Sequence, residues 1–276
     1  MNDERRSSVR TFNSSLIVQH SSFGSQRWPV NIAHRGAAAD APENTLAAFE
    51  LALGQGADGI EFDVHLSADG VPVVIHDAHL ERTTSGRGRV SDHSLRALQR
   101  LDAGSWFNRR YPARARPRYV GRKIPPLAEV LSWVHDRNCL ALVEIKRNAR
   151  TRPGIERRVL EEIHRAGVAP RATVISFDMP TLRRLRQIDP RVPLGIDFMR
   201  PRLAVKRARL IKAGVVLPHW AFASRRFLQR AHQAALKVVV WDLDEPRWMR
   251  RKLADGVDGI ITACPAKLAE IVRSLW

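Results

Sequence analysis

The chain is poor in cysteine: among its 276 residues only Cys139 and Cys264 carry thiols. Two thiols cannot build a disulfide framework or a four-thiolate zinc site, so the fold must rest on an ordinary apolar core. No run approaches the roughly 18–20 apolar residues that span a bilayer, which excludes a transmembrane helix. Acid is scarce as well. With 28 Asp+Glu against 46 Lys+Arg, the formal net charge is +18. Lysine supplies only seven of those cations and arginine the other 39, a skew that biased codon usage spreads over solvated surface. Together these absences predict a soluble, cytoplasmic, globular protein.

What is present agrees with that. The hydrophobic fraction is 44%, an ordinary globular value that excludes wholesale disorder. The length suits a single α/β barrel of roughly 250 residues. The surplus of cations would ordinarily nominate nucleic acid or an anionic membrane as partner. Nine cations and one acid, Asp102, fall in the stretch 96–123, where clustered charge can raise the local concentration of a phosphate-bearing molecule. The chain carries no helix-turn-helix, RNA-binding or zinc motif, so nucleic acid is not expected. Trp106-Phe107 within the basic stretch leaves transient contact with a membrane surface as an alternative. Oligomeric state is not legible.

Residues 1–29, rich in Ser, Arg, Asn and Gln, lack the continuous apolar stretch of a secretory signal and read as a flexible N-terminal extension. From residue 30 to 276 short apolar strands alternate with amphipathic helices in one domain. Main strands near residues 31, 60, 142, 174, 194, 215, 239 and 260 make about eight, each before a helix. That rhythm predicts a closed parallel (β/α)8 TIM barrel. Asp69-Gly70 marks a hairpin turn after the second strand, so a small insertion is expected there before the helix over 127–134. No Gly-rich dinucleotide fingerprint follows the first strand, which argues against an open doubly wound sheet.

In such a barrel the chemistry sits at the C-terminal ends of the strands. The first ends in His34-Arg35-Gly36. The second carries Glu61 and Asp63, two apart and therefore on one side. The 140–145 strand ends in Glu144-Ile145-Lys146, the short strand after the turn in His76-Asp77, and the seventh in Trp241. Taken singly, each has a bland reading: a surface histidine, or a salt bridge such as Glu144 with Lys146. Three carboxylates converging on one mouth would repel one another unless a cation sat among them, and oxygen-only ligands select a hard divalent ion, Mg²⁺ or Ca²⁺. His65 continues the Glu61–Asp63 alternation but reads as a bystander, and His79 as a loop residue.

The order of these motifs resembles the glycerophosphodiester phosphodiesterase family. The similarity runs through Ala33-His34-Arg35-Gly36, Pro42-Glu43-Asn44-Thr45, Gly59-Ile60-Glu61-Phe62-Asp63-Val64, His76-Asp77, Glu144-Ile145-Lys146, Trp241 and Gly256–Thr262, and covers roughly residues 30–272. The resemblance implies metal-dependent hydrolysis of a small-molecule glycerophosphodiester to glycerol 3-phosphate and an alcohol. It implies a divalent cation held by Glu61, Asp63 and Glu144, His34 and His76 as general acid and base, and Arg35 and Lys146 on the phosphate. Trp241 would wall the glycerol or alcohol pocket. A lysophospholipase D acting on membrane lysolipids is the alternative. Two departures stand out: Asp242-Leu243-Asp244 where the family commonly has a Thr-Val-Asn-like run, and Thr262-Ala263-Cys264-Pro265 near the end. Neither is expected to touch the metal or histidine set, and Cys264 is expected to be a buried small hydrophobe.

Overall fold

A computed structural model describes residues 29–147, 153–200 and 202–275. The extension over 1–29 therefore lies, but for its last residue, outside the described residues. The strands are β1 (Val30–His34), β2 (Gly59–Leu66), β3 (Pro72–Val74), β4 (Leu140–Ile145), β5 (Ala172–Ser176), β6 (Leu194–Phe198), β7 (Val215–Pro218), β8 (Lys237–Val240) and β9 (Gly259–Thr262). Eight of them pair in parallel in the order β1-β9-β8-β7-β6-β5-β4-β2, and β1 also pairs with β2, which closes the ring. The ninth, β3, folds back antiparallel on β2 and lies outside the ring. This is the (β/α)8 TIM barrel that the alternation predicts.

Parity along the strands separates two apolar clusters. Ala33, Ile60, Phe62, Val143, Val174, Ile196 and Val240 pack outward against the helices. Their neighbours Val30, Ile32, Leu140, Leu142, Ile175, Val215, Leu217, Val239 and Ile261 form a second cluster inside the ring. Such alternation follows from the two-residue period of a strand. Because the interior is filled, the barrel is a packed core with no pore, and anything polar of inward parity must sit at an end.

The helices begin where the sequence supplies caps. Thr45 Oγ1 accepts the Ala48 N–H at the start of α1 (Leu46–Gly54), and Ser94 does so for Ala97 in the short α2 (Leu95–Leu98). The insertion runs from β2 through β3, α2 and α3 (Ser105–Arg110) to α4 (Leu127–Arg137), as expected. It has a small core of its own around Val73, Ile75, Leu80, Val90 and Leu98. Its far end is tied to the loop after β1, where the Tyr119 hydroxyl donates to Asp40 O at 2.9 Å. Phe107 is fully buried against Ala41, Ala48 and Tyr119. The aromatic pair that motivated a membrane-facing reading of 96–123 is thus spent mainly on packing. Four helices, α5 (Ile155–Arg165), α6 (Met179–Ile188), α7 (Ala204–Leu210) and α8 (Arg225–Gln233), follow β4 to β7 in turn. Last come α9 (Pro246–Asp255) after β8 and α10 (Pro265–Arg273) after β9.

One strand boundary bears directly on the site. The apolar run of the strand near residue 194 stops at Ile196, but β6 continues through Asp197 and Phe198. A buried carboxyl inside an apolar strand hides its continuation from a hydropathy pattern, and this shift brings a new residue to the mouth.

Candidate active site

Inward parity carries His34, Glu61, Asp63, Glu144, Asp197 and, just past the ends of β4 and β8, Lys146 and Trp241 to the C-terminal end of the ring. With Arg35, His76, Phe177, Asp242 and two isoleucines, all but Asp63 of these line one cavity of about 220 Å³. Every residue that the sequence nominates is therefore at this mouth.

Glu61, Asp63 and Glu144 each offer an oxygen within 4.8 Å of the others, and all three are buried. Burial lifts Glu61 well above the carboxylate range, and repulsion from Asp63 and Glu144 adds to it. Glu144 is raised to about 7, chiefly by burial, with Lys146 opposing. Asp63 goes the other way. Burial alone would raise it, but Lys146 and Arg35 outweigh that and hold it below its usual range. Glu61 Oε1 and Asp63 Oδ1 are buried without a well-directed hydrogen-bond donor. Lys146 Nζ lies 3.0 Å from Asp63 Oδ1 but off its hydrogen-bonding direction. Orphaned oxygens on a converging set of like charges are what a hard divalent cation satisfies, so the residues fit that ion.

Backbone geometry builds this cluster. Arg35 (φ 54°) and Asn44 (φ 56°) both take the left-handed conformation, which asparagine tolerates more readily than arginine. The turn at Arg35 lets its N–H donate to Glu61 Oε2 at 3.1 Å. Gly36 (φ 82°) follows, where a Cβ would meet the Ala48 carbonyl carbon at 2.6 Å. Asn44 donates through Nδ2 to Asp63 Oδ2 at 2.7 Å and accepts the Asp63 N–H through Oδ1 at 3.3 Å. In the sequence Asn44 is only a member of the Pro42–Thr45 motif; the structure makes it the clamp on Asp63.

Each candidate histidine is held through Nδ1 by an aspartate. His76 Nδ1 is 2.6 Å from Asp77 Oδ1, and His34 Nδ1 is 3.2 Å from Asp242 Oδ1. The second contact corrects the expectation that the Asp242-Leu243-Asp244 departure leaves the histidine set untouched. Asp244 meanwhile accepts from the Thr262 hydroxyl at 2.8 Å, joining the two departures to each other. Burial, reinforced by Arg35, pushes His34 down to about 3, so it is neutral at pH 7. Burial also holds His76 below its usual value, against the pull of Asp63. Asp242 is raised to about 6, mainly by burial. His65 is a buried bystander to the cation cluster, yet its Nε2 meets His76 O at 2.9 Å and steadies that residue's backbone.

An ion-pair chain ties the two sides of the mouth together. Arg35 Nη1 donates to Glu43 Oε1 (2.9 Å), Arg82 donates to Glu43 Oε2 (2.7 Å), and Arg82 also grips Asp77, the partner of His76. Neither Glu43 nor Arg82 has a role in the sequence reading. Lys146 pairs with Glu144 at 2.7 Å, so the bland reading of that pair and the functional one hold together. Trp241 donates its indole N–H to Leu217 O at 2.8 Å, and Phe177 packs edge-on to it with centroids 5.4 Å apart. Cys264, expected as a buried small hydrophobe, is half-buried at the N-cap of α10.

The comparisons with known proteins converge. The model of the glycerophosphoryl diester phosphodiesterase family matches residues 34–267. A glycerophosphodiester phosphodiesterase of Caldanaerobacter subterraneus subsp. tengcongensis is 35% identical over 243 residues, covering 88% of this chain and 97% of that one. Among solved structures, a glycerophosphodiester phosphodiesterase from Agrobacterium tumefaciens superposes with a TM-score of 0.74 at 30% identity, covering 87% and 98% of the two chains. An Oleispira antarctica phosphodiesterase in complex with the product sn-glycerol-3-phosphate gives 0.80 at 26% identity, covering 92% and 99%. No helix among the described residues is long and apolar enough to cross a membrane.

Proposed function

The chain belongs to the glycerophosphoryl diester phosphodiesterase family, and from that premise we propose that it hydrolyses glycerophosphodiesters to glycerol 3-phosphate and an alcohol with the aid of a divalent cation. The observation that carries this reading is the meeting, at one barrel mouth, of three carboxylates within 4.8 Å and two histidines each fixed at Nδ1. Glu61, Asp63 and Glu144 would hold Mg²⁺ or Ca²⁺, which when bound neutralises phosphate charge and polarises a phosphoryl oxygen.

The chain's own residues account for the rest. With Nδ1 of each histidine engaged by an aspartate, Nε2 is the nitrogen left to substrate. One histidine takes the proton of the attacking oxygen, and the other gives a proton to the departing alcohol oxygen. The nucleophile we favour is the glycerol 2-hydroxyl: its oxygen bonds to phosphorus while the bond from phosphorus to the alcohol oxygen breaks. Water then opens the resulting cyclic phosphate, with the two histidines exchanging roles. An intramolecular attack gains from high effective molarity. Arg35 and Lys146, already anchored by Glu43 and Glu144, present their remaining N–H groups to the non-bridging oxygens without reorganising.

The test is to incubate purified protein with glycerophosphocholine and glycerophosphoethanolamine, chelated and then resupplied with Mg²⁺ or Ca²⁺. Glycerol 3-phosphate and free alcohol should appear only with the cation. No turnover, or release of the phosphorylated alcohol in place of glycerol 3-phosphate, would overturn the reading.

A further inference from the structure

Asp197 is unaccounted for by the chemistry above. It sits on the inward face of β6, paired in register with Leu217 of β7, and lines the cavity. The side chain is only 5% exposed, and its Oδ2 is buried with no hydrogen-bond partner. A buried polar atom left in that state costs about 1–3 kcal/mol, so a natural site that keeps one is built to complete it with a ligand. The residue beneath it is Gly195, where a Cβ would come within 2.7 Å of Leu217 Cδ1 and 2.9 Å of Ile175 Cγ2. Glycine there lets Leu217 and Ile175 close in beneath the carboxyl, and Ile175 and Ile261 line the cavity with it.

Aromatic side chains flank the carboxyl: Phe177 follows β5 and Trp241 follows β8, and both line the same cavity. Leu217 O, on the residue that pairs with Asp197, accepts the Trp241 indole N–H, which pins that ring with its polar edge turned away from the cavity. Phe177, edge-on to Trp241, is 47% exposed at the rim. A rigid aromatic surface beside a carboxyl acceptor suits a short polyol, whose C–H groups lie on the rings while a hydroxyl donates to a carboxyl oxygen.

Resting on the phosphodiesterase reading, we propose that Asp197 accepts a hydrogen bond from the terminal hydroxyl of the substrate's glycerol, the one remote from phosphate, and so makes this site selective for fully deacylated glycerophosphodiesters. Esterifying that hydroxyl removes the donor and adds a chain that must be accommodated beside Asp197 in a cavity of about 220 Å³. Lysolipids acylated at that position are then rejected. The departing alcohol projects toward solvent and is read weakly. The class of reaction that must supply this substrate is hydrolysis of both carboxylic esters of a phospholipid.

Three phosphocholine diesters test this: glycerophosphocholine, its 1-deoxy analogue (which keeps the nucleophilic 2-hydroxyl), and a short-chain 1-acyl lysolipid, monomeric in solution. The wild type should prefer glycerophosphocholine to the 1-deoxy analogue by about 10–100-fold in kcat/KM and leave the lysolipid essentially untouched. In Asp197→Leu that preference should vanish, with glycerophosphocholine and the 1-deoxy analogue turned over at similar kcat/KM. Asp197→Asn, which keeps an acceptor oxygen, should retain part of it. Equal wild-type rates on the diol and the 1-deoxy analogue overturn the subsite, as does a preference that survives in Asp197→Leu or lysolipid hydrolysed as fast as glycerophosphocholine. If the wild type hydrolyses none of the three, the phosphodiesterase reading itself fails.

Discussion

The lower and upper halves of the barrel interior are built from the same strands and follow opposite rules. In the lower half Ile32, Leu142, Val215 and Val239 are at most 1% exposed and pack in one apolar cluster. One strand step higher, on the same inward face, His34, Glu61, Asp63, Glu144 and Asp197 gather four carboxylic acids beside two cations. The lower layer is what a sequence optimised for stability would write, and the upper layer is what it would avoid. Stability is therefore generated below and spent above, and the two halves should respond oppositely to mutation.

The largest expected effect is on catalysis. His34→Ala should lower kcat about 10²–10⁴-fold, the usual worth of a positioned acid or base. Unfolding by urea should remain cooperative with an unchanged midpoint; a mutant that keeps wild-type turnover would remove His34 from the reaction. Leu142→Ala inverts the pattern. It should cost about 2–5 kcal/mol of unfolding free energy, read from the same urea curves, while kcat per folded molecule stays the same.

Asp63→Asn crosses the boundary between the halves. It removes a carboxylate that faces Lys146 at 3.0 Å and Arg35 at 3.2 Å, and that accepts from Asn44 at 2.7 Å. Breaking a buried ionic cluster costs about 3 kcal/mol, so both stability and activity should fall together. A variant that loses activity alone would mean that Arg35 and Lys146 do not depend on this acid for their place.

The smallest effect separates charge from shape. Asp242 keeps its proton up to about pH 6 when folded, whereas an unfolded aspartate loses it near pH 4. A raised folded value means that the folded state binds more protons across that window, so stability from this group falls as pH rises from about 4 to 6 and is level above. Asp242→Asn should therefore stabilise the protein at pH 7.5, by no more than about 1 kcal/mol because the side chain is 44% exposed and screened. The gain should disappear at pH 4, as measured by urea midpoints at the two pH values. A gain that is the same at both would assign it to packing.

Nearly all of the barrel is legible in the sequence, because parallel strands covered by helices write continuous apolar runs that charged mouth residues terminate. His34, Glu61, Asp63, Glu144 and Lys146 could be found that way, since each breaks an apolar run at its C-terminal end. Asp197 escaped because hydropathy cut β6 one residue short of it, although an acid framed by Ile196 and Phe198 is itself the signal. Asp242, Glu43 and Arg82 escaped for another reason. Their importance lies in contacts between segments far apart in the chain, as when Arg82 reaches Glu43 across 39 positions, and spacing carries no trace of such a contact.

The central claim is that the upper layer is a cation site held open against its own repulsion by the layer below. Calorimetric titration of chelated protein with Mg²⁺ and with Ca²⁺ tests it most directly, using wild type and Glu61→Gln side by side. The account expects one site per chain in the wild type, with proton release from the raised Glu61 and Glu144, and loss or at least tenfold weakening of that site in Glu61→Gln. Binding of equal strength in the variant, or none in the wild type, would contradict it.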